Sequence, residues 1–274
     1  MSWAAKCVLL ILCFNVIALP SSAKPLTFAV VPQQSAKKMA EKWQPLIDYV
    51  SNFTGHSIEF KTAKDIPTFE ANLANGLYDI AYMNPYHFVV FNESVGYRAL
   101  AHQGDKKIRG IIVVNEESPI QSLSDLNGAE IAFPAPAAFA ATIITSAYLR
   151  KNNIAFIPRY VNSHDSVYLS VQRKFFKAGG GIYRTLNTSP ESVKGTLRVL
   201  WESENYTPHP IATHPNMAQD DRQAILNALI ALSNDSSKSS ILSKMGFSRF
   251  VASNDNDWDD VRALGIASLS RPHL

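Results

Sequence analysis

The sequence predicts an α/β protein of two lobes, each a mostly parallel sheet flanked by helices. Two observations carry that expectation. Short apolar runs rich in β-formers alternate with segments of helical period over most of the chain, the pattern of parallel sheets with helices on both faces. The last stretch, "QDDRQAILNALIALS" and "DWDDVRALGI", is helical and leaves few strands, so it must pack on something already built. The chain is therefore expected to cross into a second lobe near Val113 and return near Asn205. That gives lobes of residues 24–112 plus 205–274, and of residues 113–204. No internal repeat or low-complexity linker separates two independent halves.

The elements follow in order. "LTFAVVPQ" (Leu26–Gln33) reads as a buried strand. Met39, Trp43, Leu46, Ile47 and Val50 then recur at helical spacing, closed by Gly55. "HSIEFKTA" alternates as a strand, Pro67–Asn75 is a helix ended by Gly76, "YDIAYMN" is a strand, and Pro85 opens a helix. "YRALAHQG" and "RGIIVV" are further strands. The second series begins with a helical turn at "SLSDLNG" and the strand "AEIAFP". A helix running to about Asn152, a strand around Arg159–Val161 and the helix "SHDSVYLSVQRKFF" come next. "AGGGIY" (strand), "SPESVKG" (short helix) and "LRVLW" (strand) complete the series.

One helix lacks its expected beginning. In "FPAPAAFAATIIT" (Phe133–Thr145) the residues at the helix start are Pro134, Ala135, Pro136, Ala137 and Ala138. None offers the side-chain oxygen that normally accepts from the exposed N–H groups. Something other than the chain can occupy that end, since backbone N–H groups at a helix start attract anions. The alternative is that this face packs internally and the prolines shape a turn. Ligands of open α/β sheets sit beyond the carboxyl ends of strands. Here that means the loops Pro32–Ser35, Met83–His87, Pro134–Phe139 and Asn162–Asp165, and a cleft between the lobes.

Met1–Ala23 has the pattern of a secretory signal peptide: Lys6, an apolar Cys7–Leu19, and Ser21-Ser22-Ala23 before a cut at Lys24. Leu12 before Cys13 argues against lipidation. Both cysteines, Cys7 and Cys13, fall in that segment, so the expected mature chain has no disulfide and depends on its core. The full chain carries a formal charge of +3. Losing Lys6 with no acid lowers it to +2, too weak to argue for nucleic acid or a membrane surface. The expected product is a soluble periplasmic monomer.

"YDIAYMNPYHFVVF", "SLSDLNGAEIAFPAPAAFAATI", "VNSHDSVYLSV" and "LRVLWESENYTPHPIATHP" occur in an order and spacing that resemble the phosphate/phosphite/phosphonate-binding proteins of ABC transporters. The resemblance spans the mature chain. It implies a two-lobed periplasmic binding protein (type II) with a two-crossover hinge, a small anionic ligand, and an ABC permease as partner. The family's equivalent helix usually begins Ser-Thr-Ser-Gly, whereas this chain has Ala137, Ala138, Phe139 and Ala140 there. By the same resemblance Ile66 replaces a polar aromatic residue and Met83 a second aromatic. Tyr183 and His209 stand where amine-binding carboxylates would be. His164 matches a family histidine that touches the anion. With Gln33, Asn84 and the aromatics Tyr82 and Tyr86 from the strand-end loops, and Arg184 able to pair with an anion bidentately, these form the expected ligand set.

Other chemistries find less support. Consecutive Ser163-His164-Asp165 cannot converge as a triad. His209 and His214 lack zinc-motif spacing, so neither a metal nor another cofactor is expected. The three glycines of "AGGGIYRT" let either a backbone or a ligand approach closely. No catalytic residue is assigned. A sensor subunit presenting its ligand to a membrane histidine kinase, and an enzyme on the same fold, remain the alternative functions.

Overall fold

A computed structural model of the chain describes residues 24–265; the expected signal peptide lies outside them. The first series is β1 (Leu26–Val30), α1 (Ala36–Thr54), β2 (Ile58–Lys61), α2 (Ile66–Ala74), β3 (Ile80–Tyr82), α3 (Pro85–Ser94) and β4 (Arg98–Gln103). The second opens with β5 (Gly110–Asn115), β6 (Ala129–Phe133) and a π-helix over Phe139–Ile144 that continues into α4 (Thr145–Lys151). It goes on with β7 (Phe156–Tyr160), α5 (His164–Gln172), β8 (Ala178–Ile182), α6 (Tyr183–Asn187), α7 (Glu191–Lys194) and β9 (Leu197–Glu202). The chain returns through β10 (Pro210–Thr213), α8 (Gln219–Asn234), α9 (Ser239–Lys244), β11 (Phe250–Ala252) and α10 (Asp259–Arg262).

Local chemistry accounts for the boundaries. Ser35 caps α1, Asp65 caps α2 and Asn84 caps α3, each accepting from a backbone N–H three residues on. Gly55 ends α1 at φ 75°, a left-handed cap that costs glycine little. The α1 face that the periodicity selected, Met39 to Val50, is buried against the first sheet and α8.

The strands form two mixed sheets, ordered β11-β4-β10-β3-β1-β2 and β7-β6-β8-β5-β9. In the first, β1–β4 point one way and β10 and β11 the other. In the second, only β5 runs against its neighbours. With β10 and the edge strand β11 reversed in the first sheet and β5 in the second, β1, β3, β6 and β8 end where the site is built. The second lobe has apolar clusters on both faces of its sheet, around Ile131 and around Val167.

The structure resolves the role of the glycine run. Successive residues of β8 face opposite sides, and each side carries a close neighbour. A Cβ on Gly179 would lie 2.4 Å from Val167 Cγ1, and one on Gly181 2.4 Å from the Tyr168 hydroxyl, both on α5. On the other face a Cβ at Gly180 would meet the Ala141 carbonyl oxygen at 2.1 Å, and one at Gly110 on β5 the Ala140 carbonyl at 2.2 Å. The wide π-turn thus lays its carbonyls directly on the sheet. It is backbone and side chains, rather than a ligand, that approach these glycines.

Three expectations shift. Val113 sits in the middle of β5; the chain leaves the first sheet after Gln103 and joins the second at Gly110. The two connections, residues 104–109 and 203–209, are tied by a bridge between Ile108 and Tyr206. β10 and β11 were not anticipated, and Pro210 begins a fully buried strand whose neighbours are β3 and β4. Tyr183 opens α6 instead of ending a strand.

Candidate functional site

The loops after β1 and β3, the start of the π-helix, the start of α5 and the end of β8 converge between the lobes. They enclose a pocket lined by Val31, Gln33, Ile66, Asn84, Ile108, Ala138, Phe139, Ala140, Ala141, His164, Ile182 and His209. Its free volume is about 10 Å³, the room needed for roughly one water. Ala138 holds the cap position of the π-helix and provides no side-chain cap. Its own N–H donates to the Ala135 carbonyl at 3.2 Å, and the first return bond comes from Thr142 N to Ala138 O at 2.7 Å. The N–H groups of Phe139, Ala140 and Ala141 find no acceptor among the described residues. The uncapped end anticipated in "FPAPAAFAATIIT" therefore opens onto the pocket.

Gln33 is the hub of the site. Its carbonyl accepts from His164 N at 3.0 Å, and its side-chain oxygen accepts from Arg184 Nη2. Arginine can only donate, so the amide nitrogen of Gln33 must be the atom 2.9 Å from His209 Nε2. His209 consequently accepts at Nε2 and carries its proton on Nδ1. Burial holds the His209 pKa well below the usual imidazole range, and Arg184 adds to the effect. Burial, followed by the Arg184 charge, lowers His164 to about 3. His164 Nδ1 lies 3.2 Å from the Thr185 hydroxyl, and Nε2 has no partner among the described residues.

The lobes touch through polar contacts at the pocket rim. Asn84 Nδ2 donates to the Ala137 carbonyl at 3.0 Å. Asp165 accepts from Gln34 Nε2 and pairs with Lys38 Nζ, both at 3.1 Å. Beside the enclosed pocket, sharing Ile108, Ile182 and His209 with it, lies a cavity of about 380 Å³. Tyr82, Tyr183 and Arg184 line this vestibule. Tyr82 stacks on His209 at 5.2 Å, and the Arg184 guanidinium lies over its ring at 5.6 Å.

Not every expected residue reaches the pocket. Met83 is fully buried in the core, and Ala137 contributes a carbonyl to Asn84 rather than a lining group. Tyr86 lines a separate outer groove with Val89, Val90 and Arg262; four residues past Tyr82, it sits on a helix instead of the strand end. Tyr183 donates its hydroxyl to Glu202 at 2.7 Å. Sequence reasoning passed over Lys106, Lys107 and Arg109 of the vestibule, although "GDKKIRG" at the crossover is a visible basic cluster. Among the described residues no His/Cys/Asp/Glu group is placed to hold a metal, and no helix is long and apolar enough to cross a membrane.

A family model described as "ABC transporter, phosphonate, periplasmic substrate-binding protein" matches residues 28–258. The chain belongs to this family. The phosphonates-binding periplasmic protein of Escherichia coli (strain K12) is 22% identical over 259 residues, 89% of this chain and 76% of its own length. A binding component of a phosphonate ABC transporter from Pseudomonas aeruginosa superposes with a TM-score of 0.80 at 18% identity, over 88% of this chain and 85% of its own. A Prochlorococcus marinus protein solved with methylphosphonate gives 0.81 at 14% identity, over 88% and 97%. These structures agree on the two-lobed fold. As a substrate-binding protein of this family, the chain serves a periplasmic small-molecule ligand and a membrane permease.

Of the buried histidines, His164 and His209 give this substrate-binding protein a pH signature. Their folded pKa values lie below the unfolded value of about 6.5, so their contribution is complete above that pH. As pH falls, the unfolded chain takes up protons that the native state refuses, and stability drops by up to about 1.4 kcal/mol per pH unit for each histidine. Urea midpoints should fall between pH 7 and pH 5, and His164→Gln or His209→Gln should flatten the slope. A pH-independent midpoint across that window would contradict the buried neutral state.

Proposed function

We propose that the chain captures a small oxyanion of the phosphonate class between its lobes and delivers it to an ABC permease. The supporting observation is the convergence of three unpaired N–H groups, at Phe139, Ala140 and Ala141, with the neutral His164 ring on one enclosed pocket. An anion there would be held by the helix end and by hydrogen bonds that need no counter-charge. The lobes would rotate about residues 104–109 and 203–209 to admit and enclose it. The protein acts as a periplasmic monomer freed of Met1–Ala23, and it performs no covalent chemistry.

Calorimetry with methylphosphonate and inorganic phosphate, paired with small-angle scattering, tests this reading. Methylphosphonate should bind weakly and contract the particle, because no hydroxyl supplements the backbone donors. Ala138→Ser restores one such donor at the cap position. A hydrogen bond to a charged group is worth about 1.5–3 kcal/mol, so affinity should rise roughly 10–150-fold. No heat and no contraction with either anion, in both parent and variant, would overturn the proposed ligand class.

A further inference from the structure

The enclosed pocket and the vestibule differ sharply in charge. Pocket-lining residues are apolar, amide or neutral imidazole. The vestibule is lined by Lys106, Lys107, Arg109 and Arg184, with no Asp or Glu among its lining residues. Nearby acids are already engaged. Asp105 is held by Arg249, and Glu202 accepts from both Arg109 and Tyr183. Lys107 donates to the neutral Thr207 hydroxyl at 3.0 Å, Arg184 to the neutral Gln33 amide, and Lys106 has no ion pair among the described residues.

We propose that the vestibule is a second anion subsite, and that the ligand is a phosphonate or phosphate bearing another anionic group. This rests on the reading of the enclosed pocket as the phosphonate head-group site. The two spaces adjoin along Ile108, Ile182 and His209, so one ligand reaches both with a short linker. With the lobes parted beyond the arrangement seen here, which leaves about 10 Å³ free, the head group meets the helix start in the smaller space, where backbone N–H groups and the neutral rings of His164 and His209 are available. The second group enters about 380 Å³, where cations outnumber their partners and Asn187 and Thr188 add polar contacts. Arg184 stands between the two. With its Cζ 5.6 and 5.9 Å from the ring centroids of Tyr82 and Phe247, its guanidinium retains donors for an oxyanion.

Lys42 is pushed down to about 8, first by burial and then by Arg184 and Lys38. Arg184 likewise opposes protonation of His164 and His209. A single methylphosphonate in the enclosed pocket would leave Lys106, Lys107 and Arg184 without an ion-paired acid among the described residues, Arg109 alone being matched by Glu202, whereas a linked carboxylate or phosphate supplies a counter-charge.

Paired ligands separate this inference from the head-group reading. 3-Phosphonopropionate and pyrophosphate would be titrated against propylphosphonate and inorganic phosphate at fixed ionic strength. Each bis-anion should bind at least about tenfold more tightly than its mono-anionic counterpart, as expected for an added charge-assisted hydrogen bond. A preference for the carboxylate compound alone marks a phosphonocarboxylate ligand; a preference for pyrophosphate alone marks a condensed phosphate. Lys106→Gln combined with Lys107→Gln should abolish the advantage and leave propylphosphonate binding unchanged. Lys151→Gln, on the exposed end of α4, should change neither. If propylphosphonate binds and neither bis-anion binds more tightly, the vestibule subsite is overturned while the head-group site stands. If no phosphonate binds at all, the head-group reading fails and this inference with it.

Discussion

Gly180→Ala should destabilise the protein by about 3 kcal/mol, near the upper end of the ordinary cost of overfilling a core. Gly180 has no left-handed backbone to preserve, so the conflict is spatial. Its new methyl would stand 2.1 Å from the Ala141 carbonyl oxygen and 2.6 Å from two atoms of the Phe133 ring. A flexible side chain could swing aside; a backbone carbonyl in a helix cannot. That carbonyl is also fixed from the other side, accepting the Thr145 hydroxyl at 2.7 Å. Reducing the freedom of the unfolded chain returns only about 0.4–1 kcal/mol, so the steric cost wins. Relief requires the π-helix to lift from β8, which moves the N–H groups that face the pocket. Thermal unfolding should show a midpoint lower by roughly 6–12 °C, and phosphonate affinity should fall along with it. A variant as stable as its parent would show that the π-helix does not rest on the sheet in this way.

The sequence made the architecture legible because its long elements carry strong periods. The α1 stripe from Met39 to Val50 is the buried face, and the uncapped start at Ala138 does open onto the pocket. What escaped notice depends on contacts between distant residues. β10 has four residues, too few to display a period, and its place between β3 and β4 is set by tertiary pairing. The crossover lies at residues 104–109 rather than near Val113, because β5 is a continuous apolar run whose entry point is marked by Gly110 packing on Ala140. Arg184 can pair with an anion by its chemistry, whereas its acceptor in the structure, Gln33, lies 151 residues away. Tyr82 and Tyr86 looked equivalent in "YDIAYMNPYHF". The strand end faces one towards the vestibule, whereas the following helix turns the other to the outer groove.

Phe139→Asp should weaken binding of whichever phosphonate the parent holds most tightly by more than roughly 100-fold, or about 2.7 kcal/mol. Phe139 is the first residue of the π-helix, lines the pocket, and is 1% exposed. Its ring packs edge-on against Tyr206 of the returning crossover, 5.5 Å between centroids. A carboxylate there has two courses. It can stay buried and unpaired, which costs several kcal/mol and places negative charge against the ligand. Or it can turn onto the free N–H groups as a cap, recovering about 0.3–2 kcal/mol from the helix end while occupying the donors the ligand needs. Both courses exclude the anion, so affinity decides where stability alone does not. Phe139→Leu provides the comparison, since it removes ring contacts but no donor and adds no charge. It should lower stability by about 1–2 kcal/mol and leave affinity within about threefold, a change of less than 1 kcal/mol. Calorimetry on folded protein at low temperature reads both variants. Cognate affinity unchanged in Phe139→Asp, with stability reduced, would mean that this helix start is a packing surface and that the anion binds elsewhere.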